Sequence, residues 1–247
     1  MERDKIFRDS AMSVETPQLA ADESHTIDVA ANLQAVRDRV DLAARQSAQG
    51  SEGVSLIAVS KTHDASRIRP ALDAGHRVFG ENRIQEAAAK WPELREVYDT
   101  LELHLIGPLQ TNKVKTAIAH FDVIQTVDRP KLARVLAEEM TRSDRRRECF
   151  VEVNVGEEPQ KSGILPREAD AFIKECRDQF QLPIRGVMCI PPIGREPSPY
   201  FALLAMIGER NGLSAVSMGM SGDYEVAIAF GATHVRVGTA IFGPRQR

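Results

Sequence analysis

Ser55-Leu56-Ile57-Ala58-Val59-Ser60-Lys61-Thr62-His63-Asp64 decides how the rest of the chain is read. Its first half is a short apolar run with a polar boundary, the composition of a buried strand. An open doubly wound sheet usually follows its first strand with a glycine-rich fingerprint. This strand runs instead into Lys61-Thr62-His63-Asp64, so the rival architecture, a closed barrel, takes precedence.

On both sides of this stretch, apolar runs alternate with helical patterns. Before the quoted stretch, Val29, Leu33, Val36, Val40 and Ala44 recur at helical spacing and predict an N-terminal helix within 27–47. The strand candidates are 55–60, 77–80, 102–106, 123–126, 149–154, 184–190, 215–218 and 234–237. Helical stretches are expected near 65–74, 83–97, 111–119, 129–142, 167–179, 199–210 and 223–230. Strands separated by helices make a parallel sheet, and their number is that of a (β/α)8 TIM barrel. No Gly-, Pro- or Ser-rich linker divides the chain. The proline-rich stretch from Ile190 to Pro199 reads as a long loop on the barrel rim. We expect a flexible N-terminal tail over 1–25 and one barrel over 26–247, with no room for a second domain after the eighth strand.

The 247 residues suit a single barrel, and the 43% hydrophobic fraction is enough for a substantial core. A net charge of −3 argues against a general nucleic-acid binder. The arginines between Arg142 and Arg147 read as a solvated helix end. No apolar run approaches the ~18 residues of a membrane span. The cysteines, Cys149, Cys176 and Cys189, are odd in number and widely spaced, which points to free thiols in a reducing cytoplasm. The histidines are scattered, with no metal-ligand spacing.

A barrel carries its active site on the loops after its strands. Lys61 falls there, where a buried strand leaves the core. Burial favours the neutral amine, and a neutral amine attacks aldehydes to form a Schiff base. Two glycine turns, Met218-Gly219-Met220-Ser221-Gly222-Asp223 and Gly238-Thr239-Ala240, follow strands seven and eight, where barrels often bind phosphate. Lysine plus phosphate cradle suggests a phosphorylated aldehyde, and pyridoxal 5'-phosphate (PLP) is the obvious candidate. Arg236 stands between Val235 and Val237 in an apolar strand. With the valines facing the helices it points into the barrel, where it needs a partner. That partner is either a cofactor's pyridine nitrogen or an inward acid such as Glu152. Glu81 reads as a general base or as the partner of Arg83 or a nearby lysine. His104 reads as a hydrogen-bonded core residue, with a catalytic role as the alternative.

Six segments then occur in order: Ala58–Thr62, FGENRIQE at 79–86, HLIGPLQTNK at 104–113, Lys161-Ser162-Gly163, SMGMSGD at 217–223 and VRVGTAIFG at 235–243. Together they resemble the YggS family of PLP-binding, or PLP homeostasis, proteins over residues 27–243. The resemblance implies the barrel of fold-type III PLP proteins, similar to the N-terminal domain of alanine racemase. It implies that Lys61 carries PLP as a covalent aldimine, with Asn82 beside the ring. Ser221, Gly238 and Thr239 would hold the phosphate, Met220 would lie near it, and Arg236 would face the pyridine nitrogen. Two departures, a longer N-terminal tail and Leu103 where an aromatic is expected, leave these positions untouched.

The function expected from this resemblance is PLP binding in vitamin B6 homeostasis without robust turnover, with no residue assigned as catalytic. PLP-dependent apo-enzymes are the expected partners, and a cytoplasmic monomer the expected form. A PLP-dependent racemase is the first alternative. It requires an acid–base group on each face of the substrate, and none of Tyr98, Tyr200 and Tyr224 falls in a loop expected to face Lys61. A cofactor-free Schiff-base phosphosugar enzyme is the second.

Overall fold

The computed structural model describes residues 27–47 and 53–244. The expected tail over 1–25 lies outside the described residues. The first element is helix α1 (Val29–Gln46), whose buried face is the predicted apolar stripe from Val29 to Ala44. Asp28 caps it by accepting a hydrogen bond from the Ala31 amide at 2.9 Å. Strand and helix then alternate: β1 (Ser55–Val59), α2 (Ala65–Asp73), β2 (Val78–Glu81), α3 (Ile84–Val97), β3 (Glu102–Leu105), α4 (Val114–His120), β4 (Val123–Val127) and α5 (Pro130–Ser143). They continue through β5 (Glu148–Glu152), α6 (Ala169–Asp178), β6 (Ile184–Met188), α7 (Ser198–Arg210), β7 (Ala215–Ser217), α8 (Tyr224–Ala229), β8 (His234–Val237) and a short α9 (Thr239–Phe242).

The eight strands form a closed barrel in sequence order. All pairs are parallel, and β1 seals against β8 with Ser55 opposite His234 and Ala58 opposite Val237. The main core lies between this barrel and its helices, and includes Phe79, Trp91, Phe121 and Phe201. The barrel interior is a different environment. It holds a small apolar layer of Val123, Phe150, Met188 and Ala215, beside buried His104, Gln125, Ser217 and Arg236. All three cysteines are buried free thiols.

Several boundaries differ from the sequence reading. The strand expected to reach Asn154 ends at Glu152. Beyond it, the Val153 amide still donates to the Met188 carbonyl at 2.8 Å, but Val153 and the Asn154 amide turn to Ile164, and the Asn154 side chain binds the Glu158 backbone at 2.8 and 3.1 Å. Local side-chain bonds there compete with continuation of the strand. The stretch expected as helix from 111 opens as a 3-10 turn, Thr111–Lys113, before α4. The turn at Gly238 continues directly into α9, which periodicity does not reveal in four residues.

Candidate functional site

The barrel opens at its C-terminal mouth into a cavity of about 270 Å3. Lys61, Asn82, Met220, Ser221, Arg236, Gly238 and Thr239 all line it. The sequence reading did not single out Val59, His63, Ile106 and Ile190, which, with Gly222 of the first glycine turn, complete the wall. His63 follows Lys61 by two positions and is the one with polar chemistry. Burial, then Arg67 and Lys90, holds its ring below the ordinary histidine range.

Lys61 is half-buried and follows β1, on a loop clamped from below. The ammonium of Lys90, on α3, donates to the carbonyls of Ser60 at 2.9 Å and His63 at 2.8 Å. It also pairs with Glu81 at 2.8 Å and Glu86 at 3.0 Å. Glu86 in turn accepts from the Thr62 amide. Thr62 itself sits at φ 67°, a left-handed conformation uncommon for a β-branched residue. The lysine loop is therefore fixed at the residue on each side of Lys61. Glu81 is fully buried and also accepts from Ser60 Oγ at 2.6 Å and Trp91 Nε1 at 3.2 Å. Burial pushes its carboxyl above the ordinary range, against the pull of Lys90. So the partner of Glu81 is a nearby lysine, Lys90, rather than Arg83.

Asn82 follows β2 and is set in place by its neighbour's lack of a side chain. A Cβ on Gly107 would stand 2.3 Å from the Asn82 carbonyl oxygen. Asn82 Oδ1 is buried and has no hydrogen-bond partner. An orphaned acceptor in a cavity wall is a place for a ligand's donor.

The opposite wall comes from the loops after β7 and β8. Gly219 has φ +87°, and a Cβ there would meet Ala227 Cβ at 2.6 Å. This glycine lets the loop turn tightly under α8. Ser221 Oγ accepts from the Gly238 amide at 3.3 Å, joining the two loops. Thr239 begins α9; the Ile241 and Phe242 amides of this turn both donate to the Gly238 carbonyl at 2.9 Å, and the Thr239 and Ala240 amides ahead of them have no partner within the helix.

Arg236 enters from β8 and is 4% exposed. Its Nη1 donates to Ser217 Oγ at 2.7 Å, and Nη2 donates to the Cys189 carbonyl at 2.8 Å. Among the described residues no carboxylate lies within ion-pair distance, so the ion pair weighed for Glu152 does not form. Glu152 is still affected: burial first, then Asp128, push its carboxyl up to about 7, with Arg236 opposing. His104 is a buried core histidine, bonded to Glu102 at 2.6 Å and Gln125 at 2.8 Å.

The cavity thus sets an amine opposite a hydroxyl-and-amide cradle, with a buried guanidinium in its wall. Such a set suits a small aldehyde bearing an anionic group. Among the described residues no cluster of three metal-ligating side chains occurs, and no helix is long and apolar enough to cross a membrane.

Comparison with known proteins agrees with this chemistry. Residues 31–246 match the family model for the alanine racemase N-terminal domain. The chain is 39% identical to the pyridoxal phosphate homeostasis protein of Escherichia coli K12 over 89% of its own length and 97% of that protein's. The protein of the same description in Pseudomonas aeruginosa is also 39% identical, over 88% and 96%. Among solved structures, PipY of Synechococcus elongatus with PLP bound has 38% identity and a TM-score of 0.75, covering 87% of this chain and all of that one. An alanine racemase of Clostridium difficile shares the fold at 15% identity and a TM-score of 0.68, over 56% of its own chain.

Proposed function

The chain belongs to the pyridoxal phosphate homeostasis proteins within the alanine racemase N-terminal-domain family, and from that premise we propose that it binds PLP in this cavity as part of intracellular vitamin B6 homeostasis. The observation that carries the reading is the convergence of Lys61, Asn82, Arg236 and the Ser221–Thr239 cradle on one cavity. When bound, PLP supplies an aldehyde for covalent capture and a ring that can delocalise charge.

In this reading Lys61 holds the cofactor as a Schiff base through Nζ. The Lys90 clamp keeps the loop of that lysine in place. Ser221, Gly238 and Thr239 receive the phosphate, beside Met220. Asn82 Oδ1 accepts from a polar group at the ring edge. Arg236 faces the ring nitrogen as a fixed donor, which keeps that nitrogen unprotonated and limits how far the ring withdraws electrons. That electronic setting favours holding the cofactor over turning over an amino acid. The tyrosines support the same reading, because none of Tyr98, Tyr200 and Tyr224 lines the cavity. We extend it to a cytoplasmic monomer that passes PLP to apo-enzymes; the free, buried cysteines fit a reducing compartment.

The test is the visible absorbance of the purified protein with PLP, before and after borohydride. A yellow band reduced onto the Lys61 peptide is expected. Lys61→Ala should lose the band yet retain weaker, phosphate-anchored binding. No band, or trapping on another lysine, would overturn the assignment. Amino-acid racemisation with added PLP that disappears in Lys61→Ala would replace the binder reading with an enzymatic one.

A further inference from the structure

The guanidinium of Arg236 is the end of a longer construction. Ser217, which accepts from Arg236 Nη1 at 2.7 Å, lies 2.7 Å from Gln125 Oε1. Gln125 Nε2 lies 2.8 Å from His104 Nδ1, and His104 Nε2 lies 2.6 Å from Glu102 Oε1. Ser217, Gln125 and His104 have no exposed surface. Glu102 is the first residue of β3 and is exposed at the N-terminal mouth. Four hydrogen bonds therefore cross the barrel interior, from the cofactor cavity to the opposite solvent.

Chemistry at both ends fixes the direction of every link. Arginine only donates, so Ser217 Oγ accepts and its one proton goes to Gln125 Oε1. The Gln125 amide N–H then faces His104 Nδ1, which must accept. His104 carries its proton on Nε2 and donates to Glu102. From the far end, an ionised carboxylate also requires a donor at Nε2. Each group presents its negative end toward Arg236. A buried arginine with no carboxylate in ion-pair contact needs such compensation.

We infer that Ser217, Gln125, His104 and Glu102 form a one-directional positioning chain that fixes the orientation of Arg236 toward the bound cofactor. The chain and the Cys189 carbonyl use two of the five guanidinium N–H groups. Arg236 also lines the cavity, so a further N–H can meet a bound group there. These four are positioning residues, acting through Arg236. The inference rests on the reading that PLP fills the cavity with Arg236 facing its ring.

The experiment compares the visible absorption band and PLP affinity of the parent with Arg236→Met, Ser217→Ala, Ser217→Thr and Glu102→Ala. Glu102 is exposed at the far mouth, so its variant folds even where a buried change does not. Ser217→Ala is expected to shift the band in the same direction as Arg236→Met and weaken PLP binding by about 3- to 10-fold. Ser217→Thr retains the hydroxyl and should keep the parent band. Glu102→Ala should shift the band the same way, by less. Parent-like Ser217→Ala and Glu102→Ala beside a shifted Arg236→Met would overturn the chain and leave the cofactor reading intact. An unshifted Arg236→Met would overturn both the chain and the role of Arg236 in that reading. A shift in Ser217→Ala but not Glu102→Ala would remove Glu102 and His104 from the chain. Ser217→Thr behaving like Ser217→Ala would make packing the cause and overturn the hydroxyl's role.

Discussion

The two mouths of the barrel use similar polar residues and differ in how those residues are paired. At the N-terminal mouth the groups satisfy one another. Arg185 grips both oxygens of Glu148 at 2.6 and 2.8 Å, and His76 lies between Arg37 at 3.1 Å and the Val78 carbonyl at 2.8 Å. At the C-terminal mouth, Asn82 Oδ1 lines the cavity and is buried without a hydrogen-bond partner. Buried polar groups are nearly always paired, so an orphaned acceptor in a cavity wall is a place for another molecule to complete the pairing. The paired end stabilises the barrel, and the end with the orphan is the one proposed to bind.

The sharpest way to break this contrast is Lys90→Met, because Lys90 is the cation beside fully buried Glu81. Removing one partner of a buried pair costs about 3–5 kcal/mol, read as a lower urea midpoint at constant slope. Adding Glu81→Gln to the same chain should recover part of it. A loss below about 1 kcal/mol would mean that Glu81 is already neutral and the clamp is held by its carbonyl contacts alone.

Next in size is the cradle. Ser221→Ala with Thr239→Ala should weaken PLP by about 1.5–3 kcal/mol for each lost bond to the charged phosphate. Pyridoxal, which lacks the phosphate, should weaken less, and the melting temperature without cofactor should hold. Equal losses for both vitamers would remove the phosphate assignment.

The mouths should also respond to pH with opposite signs. Burial holds His76 and His234, at the paired end, down to about 4. Their contribution is present above the unfolded histidine value of about 6.5 and is lost as pH falls toward 4. Glu152, at the end of β5, is raised to about 7. Its contribution is present below the unfolded carboxyl value of about 4.3 and is lost as pH rises through 7. His76→Gln should flatten the acidic limb of stability against pH, and Glu152→Gln the neutral limb. Either variant flattening the other limb would reverse the assignment. The smallest effect belongs to Arg185→Ala. An exposed ion pair contributes under about 1 kcal/mol, and PLP affinity should not change.

The fold was legible because strands buried in a parallel barrel are apolar runs such as 55–59 and 184–188, which pattern reading detects. The residues lining the cavity were legible because barrel architecture places them at strand ends, next to glycine turns. Their supporting groups were not. Lys90 looks like any polar residue on α3, and only the packing of that helix brings its ammonium to the carbonyls of Ser60 and His63. Gln125 and Ser217 meet across 92 positions of sequence, a separation that no local pattern encodes. The neighbours of Arg236 were open for the same reason. Closure of the barrel selected Ser217 and the Cys189 carbonyl over Glu152.

The seam between β1 and β8 carries a consequence for how the protein is made. Lys61 follows the first strand, while the cradle follows the last two, so in the proposed binding mode the cofactor's two ends would be held by segments synthesised far apart in time. A growing chain presents the lysine early and the phosphate seat only after β8 has emerged and joined β1. Tight capture of PLP therefore reports that the ring of strands has shut. By mass action, the vitamin stabilises the closed chain over any form in which that seam is open.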